Sequence, residues 1–283
     1  MSTMNMTTFA TSADKIVAYL DKTASPARSV AVRAVAQTGS TNADLMASVD
    51  TLAGPTFLVA DVQTAGKGRA GRPWHTQATS AMTFSLAWPV AKSTQSIAGL
   101  SLAIGVVIAE TLKSLGVAVE LKWPNDVLRD GAKLAGILIE VANSRKESGK
   151  TTWVVIGVGL NLDVPAAVVK TIGRDVASAA ELIHWEREMI LAKLVTSLAN
   201  ALIQFEEDGF AAFTERWNAL HAYEGRAVVI LNNGEIQHEG RAVGIDSNGC
   251  FLIDTDQGRI AVAAGDVSLR LQEAVRGQNA AVN

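Results

Sequence analysis

Residues 66–72 read Gly66, Lys67, Gly68, Arg69, Ala70, Gly71 and Arg72, which puts three cations and three glycines in seven positions. No Asp or Glu occurs between Asp61 and Glu110, so no sequence neighbour cancels the charges of Lys67, Arg69 and Arg72. Glycine lets the backbone approach a ligand closely, and uncompensated cations stabilise phosphate or carboxylate there. A solvated basic surface loop has the same composition, so its meaning depends on residues elsewhere.

Lys122, Trp123, Pro124, Asn125 and Asp126 form a second group: a cation, an amide and a carboxylate at the end of a predicted strand. Such a turn can grip a nucleotide and its magnesium, although Asn125 and Asp126 could equally bond local backbone in an Asx-type turn. In a third group, Lys133 stands before Leu134–Glu140, one ammonium at the mouth of an apolar run. Read alone, it would equally serve as an ordinary hairpin cation.

Gly66, Gly68 and Gly71 also satisfy the spacing of a dinucleotide-binding turn, directly after a predicted strand. Against that reading, Pro73 stands where a helix should run, Lys67 and Arg69 fill the turn, and no acid follows at the distance a ribose needs. A phosphate-binding P-loop would need Lys and Ser or Thr after Gly71, where Arg72 and Pro73 stand, and the downstream Asp motifs of a protein kinase are missing.

The chain has 283 residues, 48% apolar and 19% charged, with a net charge of −3. That describes a globular protein of one large domain, or a large and a small one, and argues against general nucleic-acid binding. Ser93–Ala109 is uncharged but short for a bilayer crossing and interrupted by polar residues, so a buried helix and no membrane are expected. Met1–Met6 shows neither a cationic leader nor an apolar signal core, and the one cysteine, Cys250, reads as a small core residue; a cytoplasmic setting is expected. His75, His184, His221 and His238 are spaced neither as a zinc motif nor as a local catalytic pair.

Hydrophobic periodicity predicts the elements that must position these groups. Helices are expected over 12–22, 43–49, 97–115, 185–207 and 210–220, and strands over 29–37, 56–62, 82–88, 117–122 and 152–162. Residues 127–141 read as a hairpin turning at Asp130 and Gly131. Past Tyr223, short β runs at 227–231, 240–245, 251–254 and 258–262 suggest a small barrel, and the tail from Gly277 is expected to fray.

The glycine/arginine loop, the Lys122–Asp126 segment, the Lys133–Leu138 segment and the Gly157, Gly159, Asn161 strand occur in the order seen in biotin protein ligases, and residues 37–270 resemble that family. The resemblance implies an α+β fold: a mixed sheet with helices, like that of class II aminoacyl-tRNA synthetases, followed by an SH3-like barrel. It divides the chain into a short extension (1–36), a catalytic domain (37–222), the barrel (223–272) and a tail (273–283). The residues before Ser40 hold one predicted helix and one strand, so the type without an N-terminal DNA-binding domain is expected, as a monomer or homodimer.

The implied reaction has two steps: biotin and ATP form biotinyl-5′-AMP, which then acylates a lysine of a biotin carboxyl carrier domain. By similarity, Ser40, Thr41, Asn42, Gln63, Lys67, Gly68, Arg69, Lys133, Gly136 and Gly157 face biotin. Arg69, Arg72, Trp74, Lys122, Asn125 and Asn161 face ATP, Lys133 and Arg69 assist the chemistry, and Asp126 serves Mg²⁺. Lys67 departs from the family's usual arginine and cannot offer a bidentate fork. A lipoate or octanoate ligase or transferase of the same fold, or a non-catalytic interaction protein, is the competing expectation.

Overall fold

The computed structural model describes residues 10–74, 80–90, 97–144, 151–165, 169 and 176–275. His75, the Met1–Met6 opening and the tail expected to fray lie outside them. Seven strands, β1 (Ala31–Thr38), β2 (Thr56–Gln63), β3 (Ala81–Val90), β4 (Glu120–Lys122), β5 (Asp126–Arg129), β6 (Ala132–Asn143) and β7 (Thr152–Asn161), share one sheet. Their order is β1-β2-β3-β7-β6-β5-β4, with β1 and β2 parallel and every other neighbouring pair antiparallel.

β2, β3 and β7 are almost uninterrupted apolar runs because the sheet is covered on both faces. On one face, Phe57, Leu86 and Ile156 join the main core with helices α3 (Leu100–Ser114) and α4 (Arg187–Asp208). The opposite face carries Leu58, Ala87, Trp153 and Val155, packed under Leu45 of α2 (Thr41–Ser48) and under Val49 and Leu52, which follow it. The N-terminal helix α1 (Ala13–Leu20), capped by Ser12, packs on α4, and β1 edges the sheet. By length and composition α4 could cross a membrane, but 61% of its apolar window is buried within the protein.

Several boundaries move for local reasons. α3 starts at Leu100 rather than near 97 because Gly99 takes a left-handed φ of 81° and a side chain there would collide with Phe210. At its other end, Gly116 and Val117 bond back to Lys113 and Leu112, a helix-capping arrangement that shortens β4 to Glu120–Lys122. The helix expected over 210–220 is a 3₁₀ turn, Phe210–Phe213, followed by α5 (Thr214–Asn218). Phe210 and Phe213 are both buried, and the three-residue repeat of a 3₁₀ turn puts them on one face. The β5–β6 hairpin turns at Asp130 and Gly131, both at positive φ, as expected.

The C-terminal part is a five-stranded antiparallel sheet of β8 (Ala227–Asn232), β9 (Glu235–Ile245), β10 (Phe251–Thr255), β11 (Gly258–Val262) and β12 (Val267–Leu271). β12 was not anticipated; it pairs with β8 at the sheet edge. The segment leading into this sheet is held to β4 by backbone bonds between Leu121 and both Leu220 and Ala222, and Trp123 Nε1 donates to Gly249 O, in the turn between β9 and β10, at 3.2 Å.

Candidate functional site

Register across the α2 face of the main sheet sets a row of mostly small residues side by side. Thr83 pairs with Gly159, which pairs with Gly136; two residues along, Ser85 pairs with Gly157, which pairs with Leu138. Side chains alternate across a strand, so all of these face the same way and leave a hollow above β3, β7 and β6. α2 and two loops close over it.

Ser40 caps α2, its side chain accepting from Ala43 N, which brings Thr41 and Asn42 to the hollow. Thr41 N donates to Gln63 Oε1 at 2.7 Å, and Thr41 Oγ1 lies 2.7 Å from Ser85 Oγ. Ser85 Oγ donates to Asn42 Oδ1 at 2.5 Å, and Asn42 Nδ2 donates to Glu140 Oε2 at 2.8 Å. Asn42 fits only because residue 157 is glycine: a Cβ there would fall within 3.0 Å of its amide. Ser40, Thr41, Asn42 and Ser85 are at most 8% exposed, so each unmet bond in this network would cost about 1–3 kcal/mol.

The cationic loop folds on itself. Gly68 N donates to Arg72 O at 2.7 Å and Trp74 N to Gly66 O at 2.8 Å, while Ala70 and Gly71 take positive φ at the tip. Arg69 turns inward: Nη1 donates to Asn125 Oδ1 at 3.3 Å and Nη2 to Gly265 O, in the loop between β11 and β12. Burial pushes its pKa down, opposed by the nearby charges of Asp126 and Asp266. Lys67 and Arg72 stay exposed along the rim.

Opposite the loop, Asn125 is pinned to β6, donating to Ile137 O at 2.7 Å and accepting from Ile137 N at 3.0 Å. Asp126 forms an ion pair with Lys133 through Oδ1, and its Oδ2 lies 3.8 Å from Lys122 Nζ. Lys133 Nζ also sits 5.6 Å from the centroid of the Trp74 indole.

One cavity is lined by Ser40, Thr41, Asn42, Gln63, Lys67, Gly68, Arg69, Arg72, Trp74, Lys122, Asn125, Asp126, Lys133, Gly136 and Gly157, so the structure gathers these expected residues in one place. Asn161 is not in its lining; its amide donates to Lys133 O at 3.3 Å, behind the cavity wall. Several lining or network residues were missed, Gly159, Ser85, Glu140, Asp266 and Arg270 among them. Ser85, a hydroxyl inside an apolar strand, and Glu140, a carboxylate ending another, carried a readable signal. Asp266 and Arg270 went with an unrecognised strand, although the alternation of Val267, Leu269 and Leu271 with Ser268 and Arg270 is a strand signal. Among the described residues, no group of three or more His, Cys, Asp or Glu side chains converges as a metal cluster would.

Residues 34–161 match the Biotin/lipoate A/B protein ligase family and residues 225–270 the Biotin protein ligase C terminal domain. The bifunctional ligase/repressor BirA of Salmonella typhimurium is 34% identical over 236 residues, 83% of this chain and 72% of the relative. The biotin–[acetyl-CoA-carboxylase] ligase of Mycobacterium tuberculosis is 35% identical over 243 residues, 82% of this chain and 86% of the relative. Among solved structures, biotin protein ligase from Aquifex aeolicus in complex with biotin and ATP aligns with a TM-score of 0.67 and 26% identity, over 86% of this chain and 99% of that one.

Proposed function

The chain belongs to the biotin protein ligases, and from that premise we propose that it joins biotin to ATP as biotinyl-5′-AMP and passes the biotinyl group to a lysine of a biotin carboxyl carrier domain. The observation that carries this reading is one cavity lined at one end by a neutral network of amides and hydroxyls and at the other by Arg69, Lys122 and Lys133.

Biotin takes the polar end. Its ureido ring is neutral and needs both donors and acceptors, which Ser40, Thr41, Asn42, Gln63 and Ser85 supply with groups already held in place, while Gly157 leaves them room. The carboxylate then points towards Lys133, Gly136 and the loop residues Lys67, Gly68 and Arg69.

In the first step a carboxylate oxygen of biotin attacks the α-phosphorus of ATP, and the bond to the β-phosphate oxygen breaks to release pyrophosphate. Two anions about 4 Å apart repel by roughly 1–4 kcal/mol per charge pair between bulk-water and near-surface dielectric. Lys133 and Arg69 offset that repulsion and stabilise charge developing at the α-phosphate. Lys122, Asn125, Arg72 and Trp74 hold the nucleotide, with Asn161 acting from behind through the Lys133 carbonyl. In the second step the acceptor amine attacks the acyl carbon, AMP leaves and the amine loses a proton.

Magnesium fits this site as an ion carried chiefly by the phosphates. Lys133 and Lys122 already face the two oxygens of Asp126, so Asp126 would hold the ion through water. When bound, Mg²⁺ would offset part of the negative charge of the triphosphate. Residues 37–222 make the catalytic domain in this reading, and 223–272 supply the far wall through Asp266 and Arg270. A cytoplasmic setting, where carrier domains are made, goes with it. Lipoate as substrate is disfavoured by the C-terminal match to biotin protein ligases. ATP–pyrophosphate exchange driven by biotin and not by lipoate is expected; exchange driven by lipoate alone would contradict the assignment.

A further inference from the structure

Among the described residues, no hydrogen bond holds the Trp74 indole where it lies. Its Nε1 is buried and meets no acceptor among the described residues, so the ring is located by shape and by the backbone bond from Trp74 N to Gly66 O. The shape comes from two glycines paired across β6 and β7, Gly136 and Gly159. A Cβ on Gly159 would lie within 3.0 Å of Cε2, Cζ2 and Nε1 of the indole, and one on Gly136 would be 3.3 Å from Cζ3. The ring therefore lies over bare backbone, with the Lys133 ammonium 5.6 Å from its centroid.

We propose that Gly159 is a positioning residue for the nucleotide half of the reaction, acting by seating Trp74. This rests on the reading that Trp74 covers the base. A methyl group at 159 would push the ring off the sheet by about 1 Å or more, since carbon atoms settle at about 3.5–4.0 Å. That displaces the surface offered to the base while leaving the polar network at Ser40, Thr41, Asn42 and Gln63 in place. Gly157, two residues earlier on the same face, serves that network instead, so the two glycines divide their work between the two substrates.

The test is a double-mutant cycle on Gly159→Ala and Trp74→Ala, with the affinities for Mg²⁺–ATP and for biotin measured separately by calorimetry. Gly159→Ala is expected to weaken ATP binding tenfold or more and biotin binding less than twofold. The double variant is expected to bind ATP no more weakly than Trp74→Ala alone, because the seat has no further role once the ring is gone. Independent losses that multiply, or unchanged ATP affinity in Gly159→Ala, would overturn the proposal. If Gly159→Ala alone folds poorly, Trp74→Gly with Gly159→Ala should recover folding; failure to recover also counts against the seat. Fluorine NMR of 5-fluorotryptophan-labelled protein, with Trp74 assigned from Trp74→Phe, separates the seating of the ring from its contact with the base. A Trp74 resonance that moves in Gly159→Ala while Trp74→Ala binds ATP normally keeps the seat and refutes the base-covering reading. A resonance that does not move refutes the seat.

Discussion

Asp126 stands between two lysines, with Oδ1 paired to Lys133 and Oδ2 3.8 Å from Lys122, and all three side chains are no more than 20% exposed. The carboxylate fixes where both ammoniums wait for an anionic substrate. Asp126→Asn removes the charge and keeps the size, taking a carboxylate from beside two largely buried cations.

The expected outcome for Asp126→Asn is a stability loss of about 1–3 kcal/mol, below the value for a fully buried pair because water still reaches this one. A fall of at least tenfold in biotin-dependent pyrophosphate exchange should accompany it. Urea unfolding and the exchange assay check both; a variant with wild-type values in each would show that the lysines do not depend on Asp126.

Ser85→Ala deletes the hydroxyl that links Thr41 to Asn42. Losing that link should weaken biotin binding by about 1–2 kcal/mol, roughly five- to thirtyfold. ATP binding should stay within twofold. Calorimetric titration with each substrate decides it, and equal losses for both would mean the network is not specific to biotin.

Arg69→Ala removes the bonds to Asn125 Oδ1 and Gly265 O, and with them the tie between the loop, the Lys122–Asp126 turn and the C-terminal sheet. A charge-assisted bond is worth about 1.5–3 kcal/mol, so the bound adenylate should dissociate at least tenfold faster. Stopped-flow release of the adenylate measures this directly, and an unaltered rate would remove Arg69 from its retention.

His221 supplies a pH dependence unrelated to catalysis. It is 8% exposed, between Trp217 and Phe251, and neither ring nitrogen has a partner among the described residues. Burial holds its pKa down at about 4, against an ordinary value of 6.5. Between those values the unfolded chain binds the proton and the folded one does not, so stability falls as pH drops through that window, by about 3 kcal/mol at most, and is untouched above it. Urea midpoints should decline from pH 6.5 to 4.5 in the wild type and less steeply in His221→Leu; parallel slopes would contradict this.

Residues close in sequence were the most legible. The cationic loop, the Lys122–Asp126 turn and the Ser40 cap each carry their chemistry within a few positions, and the fold brings them to one cavity unchanged. Ser85 and Glu140 were legible only as oddities in apolar strands, because their use depends on register with strands far along the chain. Asp266 and Arg270 were overlooked with β12: its alternation of Val267, Leu269 and Leu271 with Ser268 and Arg270 reads as a strand, but nothing local shows that the loop before it, at Gly265, meets Arg69 once the two sheets have packed. Among the helices, α4 was readable from its long apolar stripe, whereas the 3₁₀ turn at Phe210–Phe213 mimics helical spacing over so short a span.

The polar pocket and the cations beside it should together join biotin to a nucleotide and then to a protein. Intact-mass spectrometry of a biotin carboxyl carrier domain, incubated with this protein, biotin, ATP and magnesium, tests it most directly. The carrier should gain one biotinyl group on a single lysine, and that gain should vanish with Lys133→Ala. A carrier of unchanged mass, with folded protein and all substrates present, would contradict the account.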